Sequence, residues 1–86
     1  MNTDRQRYAV VLNDITLAIY RQVLGKPDVA PEDDFFDLGG DSIMAIEALS
    51  LMEAQLGVEL PVGLIFAYRT AAELAGEIVQ TAAQPS

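Results

Sequence analysis

The sequence contains neither cysteine nor histidine among its 86 residues. Without cysteine it can form no disulfide, thiol nucleophile or thiolate metal site, which fits a reducing compartment, and we expect a cytoplasmic protein. A nucleophilic enzyme needs a base beside its nucleophile, and the commonest arrangements use histidine or cysteine. We therefore expect no catalytic residues and a protein that is not an enzyme.

Basic residues are also scarce, since 5 lysines and arginines stand against 13 acidic residues and give a net charge of -8. This charge repels phosphate backbones and anionic lipid surfaces, so neither nucleic acid nor membrane is expected as a partner. We see no signal-peptide pattern and no apolar run near the roughly 20 residues of a membrane helix. The acidity either serves solubility or orients docking onto basic protein surfaces.

The first half of the chain shows two amphipathic helical patterns. Thr3 and Gln6 have capping-box spacing, and the first helix is expected to end near Gly25. Its predicted buried stripe is Tyr8, Val11, Leu12, Ile15, Ala18, Ile19 and Val23. The second helix begins at Asp41 or Ser42, which are both good N-cap residues, and ends at Gly57. Its predicted stripe is Ala45, Ile46, Leu49, Met52 and Leu56.

Two further helical segments follow. Residues 61–66 are apolar enough for one or two turns, although Gly63 weakens this prediction. Thr70 and Glu73 repeat the capping-box spacing and start a last helix. Its predicted stripe is Ala71, Leu74, Ala75, Ile78, Val79 and Ala82.

No segment alternates apolar and polar residues well enough for a hairpin, so the predicted fold class is all-α. We expect one small four-helix bundle of three main helices and a short one, with a long first loop. The domain is predicted to span residues 4–82, with residues 1–3 and 83–86 frayed.

The long loop at residues 25–41 contains two prolines and a glycine pair. Loops longer than about 12 residues are usually functional or disordered. Because Phe35, Phe36 and Leu38 could anchor this loop onto the helices, we expect it to be ordered and to cross the bundle.

Four of the five aspartates in this loop cluster at positions 33, 34, 37 and 41. Carboxylate catalysis is disfavoured because so small a chain offers little concavity in which to shift pKa values. A calcium loop is disfavoured by spacing, because the third and twelfth positions from Asp33 are Phe35 and Met44. We therefore expect no metal and a solvated acidic loop.

The segment from Gly39 to Ile43 is the most informative, because two glycines allow an open backbone where a serine begins a helix. The N–H groups and partial positive charge of a helix N-terminus favour a phosphate ester on Ser42. In the simpler interpretation Ser42 and Asp41 only cap the helix. These five residues alone leave both interpretations open.

Residues 33–43, DDFFDLGGDSI, resemble the phosphopantetheine attachment motif of the acyl and peptidyl carrier protein family. The double glycine is more similar to peptidyl carriers of nonribosomal peptide synthesis than to fatty-acid carriers. Residues 57–61 and 65–66 are similar to the third-helix region of the family, and residues 70 and 73–75 to the start of its fourth helix. Two residues depart from the pattern: Arg69 stands where proline is common, and Ala71 is smaller than usual. Both departures put local packing near the last helix in doubt.

The resemblance implies a carrier-protein bundle whose Ser42 holds a covalent 4′-phosphopantetheine arm derived from coenzyme A, at a site shared with Gly39, Gly40 and Asp41. The implied partners are a phosphopantetheinyl transferase, an adenylating or acyl-loading enzyme, and downstream condensing or tailoring enzymes. The carrier would hold an aminoacyl, peptidyl or acyl group as a thioester. We expect a monomer that acts in nonribosomal peptide, antibiotic or related natural-product biosynthesis.

Four residues of the second helix lie away from its predicted stripe when each residue advances about 100 degrees around the axis. These predicted partner-binding residues are Ile43, Met44, Glu47 and Leu51. Exposed aliphatics and an adaptable methionine suit transient docking, and Glu47 with Glu53 would orient it. Alternatively, Ile43 packs under the loop and the others are ordinary surface residues.

Other functions stay open from sequence alone. A polyketide or aryl carrier would differ in its loading enzyme, whereas a helical interaction module would use Ser42 only as a cap and carry no prosthetic group. Met1 lies just before the first helix, which suggests a free-standing carrier, but a domain excised from a synthetase would look the same.

Overall fold

Four helices make up the fold in a computed structural model that describes residues 3–83. They are α1 (Thr3–Leu24), α2 (Ser42–Leu56), α3 (Gly63–Ala67) and α4 (Ala71–Ala83). An isolated β-bridge pairs Asp34 with Thr70. The predicted all-α bundle with a long first loop is confirmed. None of the described helices is long and apolar enough to cross a membrane.

The ends of the described chain are helical. Thr3 and Ala83, which we predict to be frayed, are the terminal residues of α1 and α4. Residues 1–2 and 84–86, the rest of the predicted frayed ends, lie outside the described residues, as do the Thr3 side chain of the first capping box and that of Ala82.

Helix α1 contacts α4 and α2 through a face that is rotated from the predicted stripe. Its buried or half-buried residues include Tyr8, Leu12, Ile15, Thr16, Ile19, Tyr20 and Val23. Val11 and Ala18, which we predict to be buried, are exposed. Thr16 donates to the carbonyl one turn earlier at 2.7 Å, and the Tyr20 hydroxyl donates to the Arg69 carbonyl at 3.2 Å. Buried hydroxyls with acceptors are tolerated, so hydrophobicity alone misplaces this face.

Helix α2 buries two of its three alanines together with larger residues. The fully covered residues are Ala45, Ala48, Leu49 and Met52. Ile46, predicted to be buried, is 53% exposed, and Leu56 is only half-buried. Apolar residues occupy most of the circumference of α2, so periodicity does not determine which face is buried.

Helix α4 follows the predicted pattern. Its predicted stripe is buried at Ala71, Leu74, Ala75, Ile78 and Val79. The N–H of Glu73 donates to the Thr70 Oγ1 at 3.1 Å, as expected for an N-cap. Helix α3 has five residues, which agrees with the predicted one or two turns.

The loop between α1 and α2 is ordered by buried side chains and by backbone hydrogen bonds. Val29 and Phe35 are fully buried, and Phe36 and Leu38 are half-buried. The N–H of Phe35 donates to the Arg69 carbonyl at 3.0 Å, so the loop meets the turn before α4. The prediction of an ordered loop that crosses the bundle is confirmed.

The acidic residues of this loop are not simply solvated. Asp33 accepts the N–H of Ala30 at 2.9 Å, and Asp34 accepts those of Phe36 and Asp37 at 2.8 and 3.2 Å. These carboxylates therefore hold turns, which corrects the expectation of a merely solvated loop. Among residues 3–83 no group of three or more acidic side chains is arranged to hold a metal ion.

We predict that Tyr20→Phe lowers the free energy of unfolding by about 1 kcal/mol, because it removes the donor to the Arg69 carbonyl. The ring should keep its edge contact with Phe35, whose centroid lies 4.8 Å away, so helix content should not change. Urea unfolding followed by circular dichroism measures the effect, with Tyr8→Phe on the same helix as control. Equal loss of stability in the two variants would contradict a specific role for this hydrogen bond.

Candidate functional site

Asp41 and Ser42 have different roles at the start of α2. Asp41 is the N-cap: its backbone is extended (φ -124°, ψ -177°), and its Oδ1 accepts the N–H of Met44 at 2.9 Å. Ser42 is the first helical residue, and it is exposed. Since Asp41 caps the helix, the hydroxyl of Ser42 is not needed for that purpose.

The start of α2 also has the electrostatics that suit a phosphate ester. The first N–H groups of a helix lack intrahelical acceptors, and they carry the positive end of the helix dipole. The Asp41 carboxylate accepts the N–H of Met44. The N–H groups of Ser42 and Ile43 precede that of Met44 in the first turn of α2. A phosphate linked to Ser42 would lie beside such donors, so the residues present fit a phosphopantetheine group.

The two glycines before Asp41 allow a close turn of the backbone. Gly39 has a φ of +102°, a conformation that L side chains rarely adopt. A Cβ atom at Gly40 would overlap the Phe35 ring and lie 2.8 Å from the Phe35 carbonyl oxygen. The structure therefore gives Gly39 and Gly40 a positional role: they let the chain pass over Phe35 into α2.

Asp34 stabilises the turn that precedes these glycines. Its Oδ1 accepts the N–H groups of Phe36 and Asp37, and its Oδ2 pairs with Arg69 Nε at 2.9 Å. Burial by itself would raise the pKa of Asp34, but the two N–H donors and the Arg69 guanidinium together lower this pKa below its ordinary value. Asp34 therefore stays ionised at neutral pH and keeps these contacts.

The predicted partner-binding residues divide into two kinds. Ile43 is 77% exposed and Glu47 is also exposed, so Ile43 does not pack under the loop. Met44 and Leu51 are half-buried and pack against the core. Glu53 is half-buried as well, and its carboxylate accepts the N–H of Leu60 at 2.7 Å. Glu53 thus holds the connection between α2 and α3 and is a poorer candidate for electrostatic orientation than Glu47.

Three exposed apolar residues were missed in the sequence analysis: one in α2, one just before α3 and one in α3. Ile46, Val62 and Phe66 are 53%, 48% and 43% exposed. Ile46 and Val62 line one groove between α2 and the residue before α3. The excess of apolar residues around α2 was the available signal, because one helix in a bundle cannot bury all its faces.

Comparison with known families assigns the class of protein. The family model described as "Phosphopantetheine attachment site" matches residues 14–78, which include the whole of the site described above. The chain belongs to this family of phosphopantetheine-binding carrier proteins. It is therefore a carrier and not an enzyme, and its cofactor is 4′-phosphopantetheine, as the sequence predicts.

Synthetases and carriers are among the individual relatives. Tyrocidine synthase 3 from Brevibacillus parabrevis is 45% identical over 71 residues, which cover 79% of this chain and 1% of that protein. BlmI, a type-II acyl-carrier-protein from Streptomyces verticillus involved in bleomycin biosynthesis, superposes with a TM-score of 0.89 at 28% identity over 95% of this chain and 99% of its own. A nonribosomal PCP domain gives a TM-score of 0.67 at 31% identity, over 76% and 83% of the two chains. The chain is thus homologous to carrier domains of nonribosomal peptide synthetases.

We predict that Gly40→Ala lowers the free energy of unfolding by about 1–3 kcal/mol, because the added methyl group overpacks the contact with Phe35. Gly76→Ala is the matched control: nothing lies within 4 Å of a Cβ at this helical position, and alanine should stabilise α4 by about 0.5–1 kcal/mol. Thermal and urea unfolding of both variants measure the difference. A neutral or stabilising effect of Gly40→Ala would contradict this prediction, because it would mean that the loop rearranges at little cost around the added methyl group.

Proposed function

We propose that Ser42 is the attachment residue for phosphopantetheine and that the chain carries aminoacyl or peptidyl groups in the assembly of a nonribosomal peptide or a related product. The observation that carries this proposal is the exposed serine at the first position of α2, next to a cap that leaves its hydroxyl unengaged. Asp41, Gly40 and Gly39 support it by fixing the backbone before Ser42.

The chain acts as acceptor in the attachment reaction. With a phosphopantetheinyl transferase, coenzyme A and Mg²⁺, the Ser42 Oγ would attack the β-phosphorus of coenzyme A. A phosphodiester bond to serine forms, the bond between the two phosphates breaks, and the adenosine bisphosphate half leaves. The serine proton passes to a base of the transferase, because the carrier supplies only the acceptor hydroxyl. The N-terminus of α2 would stabilise the diester anion.

When attached, the group supplies a terminal thiol on a flexible arm, on which the acyl group is held as a thioester. The chain need not recognise the carried group, because selection takes place in the adenylating or acyl-loading enzyme. An aminoacyl or peptidyl group is favoured over a polyketide or aryl group by the double glycine at residues 39–40 and by the similarity to tyrocidine synthase 3. Condensing or tailoring enzymes would receive the group.

Partners would dock on the exposed side of α2 beside Ser42. Ile43 offers a large apolar contact and Glu47 a charge, and both are exposed in the folded chain. Met44 and Leu51 would contribute their exposed edges, while the rest of each side chain stabilises the fold. Apolar contact combined with charge orientation suits repeated, short-lived docking onto several enzymes.

The first test is attachment itself. Wild-type chain incubated with coenzyme A, Mg²⁺ and a broad-specificity transferase should gain one phosphopantetheinyl group by intact mass, and Ser42→Ala should gain none. Circular dichroism of Ser42→Ala should match the wild type, because Asp41 provides the cap. No gain on the folded wild type with several transferases would favour an interaction module without prosthetic group.

The second test concerns docking. We predict that Ile43→Gln raises the apparent KM of the carrier for the transferase severalfold with little change in stability, because the side chain is 77% exposed. Val10→Gln on α1, where the valine is 61% exposed, is the matched control. Initial rates at several carrier concentrations separate KM from kcat. Equal KM values for the two variants would contradict docking at Ile43.

A further inference from the structure

Arg69 joins the turn before α4 to the loop that leads into α2. Its Nε pairs with Asp34 Oδ2 at 2.9 Å, and its guanidinium lies 4.9 Å from the centroid of the Phe36 ring. A proline, which is common at this position in the family, supplies neither contact. We propose that Arg69 is a positioning residue, which fixes the loop before the attachment serine and, through Phe36, the exposed ring of Phe66. This role rests on the proposed function of the chain as a carrier loaded at Ser42.

Arg69 is connected to the start of α2 through the loop backbone. The carbonyl of Phe36 accepts the N–H of Gly39, and the carbonyl of Phe35 accepts the N–H of Gly40, both at 3.1 Å. The two phenylalanines directly follow Asp34, with which Arg69 pairs. Only Asp41 separates Gly40 from Ser42. Arg69 is distant from the serine along the chain. It is nevertheless connected to the backbone before the serine by the loop residues that it contacts.

Arg69 is also connected to the surface of α3, through Phe36. The Phe36 and Phe66 rings are stacked, with centroids 5.1 Å apart and an interplanar angle of 17°. Helix α3 has only five residues, and so short a helix depends on its side-chain contacts for its orientation. Phe66 is 43% exposed, so the orientation of its ring determines part of the surface that a partner meets.

The expected effect is local. The Arg69 side chain is 47% exposed, and an ion pair at such a site contributes little to global stability. The same guanidinium also makes a cation–π contact, so its loss removes two weak interactions from one loop. We expect amides of the loop to exchange about threefold to tenfold faster, while those of the core helices keep their rates.

Hydrogen exchange of the unmodified protein tests the first part. Arg69→Gln should accelerate exchange at Gly39 and Gly40 by about threefold to tenfold. Arg69→Lys should restore part of the protection, because lysine keeps the charge but lacks the planar group that stacks on a ring. The matched control is Arg21→Gln: Arg21 donates to the Val29 carbonyl at 3.1 and 2.9 Å, so its loss should affect the first part of the same loop.

Transferase kinetics test the second part, with a broad-specificity phosphopantetheinyl transferase, coenzyme A and Mg²⁺. Arg69→Gln should raise the apparent KM of the carrier severalfold with a smaller change in kcat, and Arg69→Lys should recover part of the loss. Unchanged exchange at Gly39 and Gly40, or an unchanged KM, would overturn the proposal. If even the wild type accepts no group, the proposed function fails, and the exchange rates alone then decide whether Arg69 holds the loop.

Discussion

The buried contact between the Phe35 ring and the backbone of Gly40 is the constraint on which the rest of the site depends. Phe35 belongs to a loop, yet it is fully buried and packs edge-on against Tyr20 of α1. Its N–H bonds to the turn before α4, and its carbonyl bonds to the N–H of Gly40 just before α2. Burial of such a side chain stabilises a fold by about 1.5–3 kcal/mol. One loop residue therefore ties the start of α2 to two other helices, and the place of Ser42 follows from core packing.

This arrangement combines a fixed backbone with an unobstructed hydroxyl. The cap on Asp41 and the close turn at Gly40 restrain the residues before Ser42, while Ser42 and Ile43 face solvent. A carrier that meets several enzymes needs the same serine in the same place for each of them, together with a surface that releases each partner. Exposed side chains such as Ile43 on an acidic chain meet this need. They provide modest apolar contact, while the acidic residues orient the partner.

Much of the fold follows from local sequence signals. The ends of α2 at Asp41 and Gly57, the cap at Thr70 and the anchoring role of Phe35 can all be predicted from residues close together in the chain. The errors have long-range causes. Burial of Tyr20 is tolerated because its hydroxyl donates to a carbonyl 49 residues away in the chain.

Two residues of α2 show the same limit. Hydrophobicity alone assigns Ile46 to the core, but the packed face of α2 is the one with Ala45 and Ala48, so Ile46 is exposed. Sequence alone predicts that Glu53 is a surface charge, but in the folded chain its carboxylate accepts the N–H of Leu60. Periodicity describes a single helix, whereas these assignments depend on which other segment covers that helix.

Arg69 shows how a departure from a family pattern can matter far from where it lies in the chain. A proline before a helix restricts its own backbone and has no side-chain charge. The Arg69 carbonyl accepts from Phe35 and Tyr20, as the carbonyl of a proline could, and the arginine side chain adds a guanidinium that contacts Asp34 and Phe36. The low pKa of Asp34 keeps this pair charged at neutral pH. Arginine thus exchanges a rigid backbone in the turn for a side-chain link between the turn and the loop. Two hydrogen bonds connect Asp34 in that link to Gly39 before Ser42: Asp34 accepts the N–H of Phe36, and the Phe36 carbonyl accepts the N–H of Gly39.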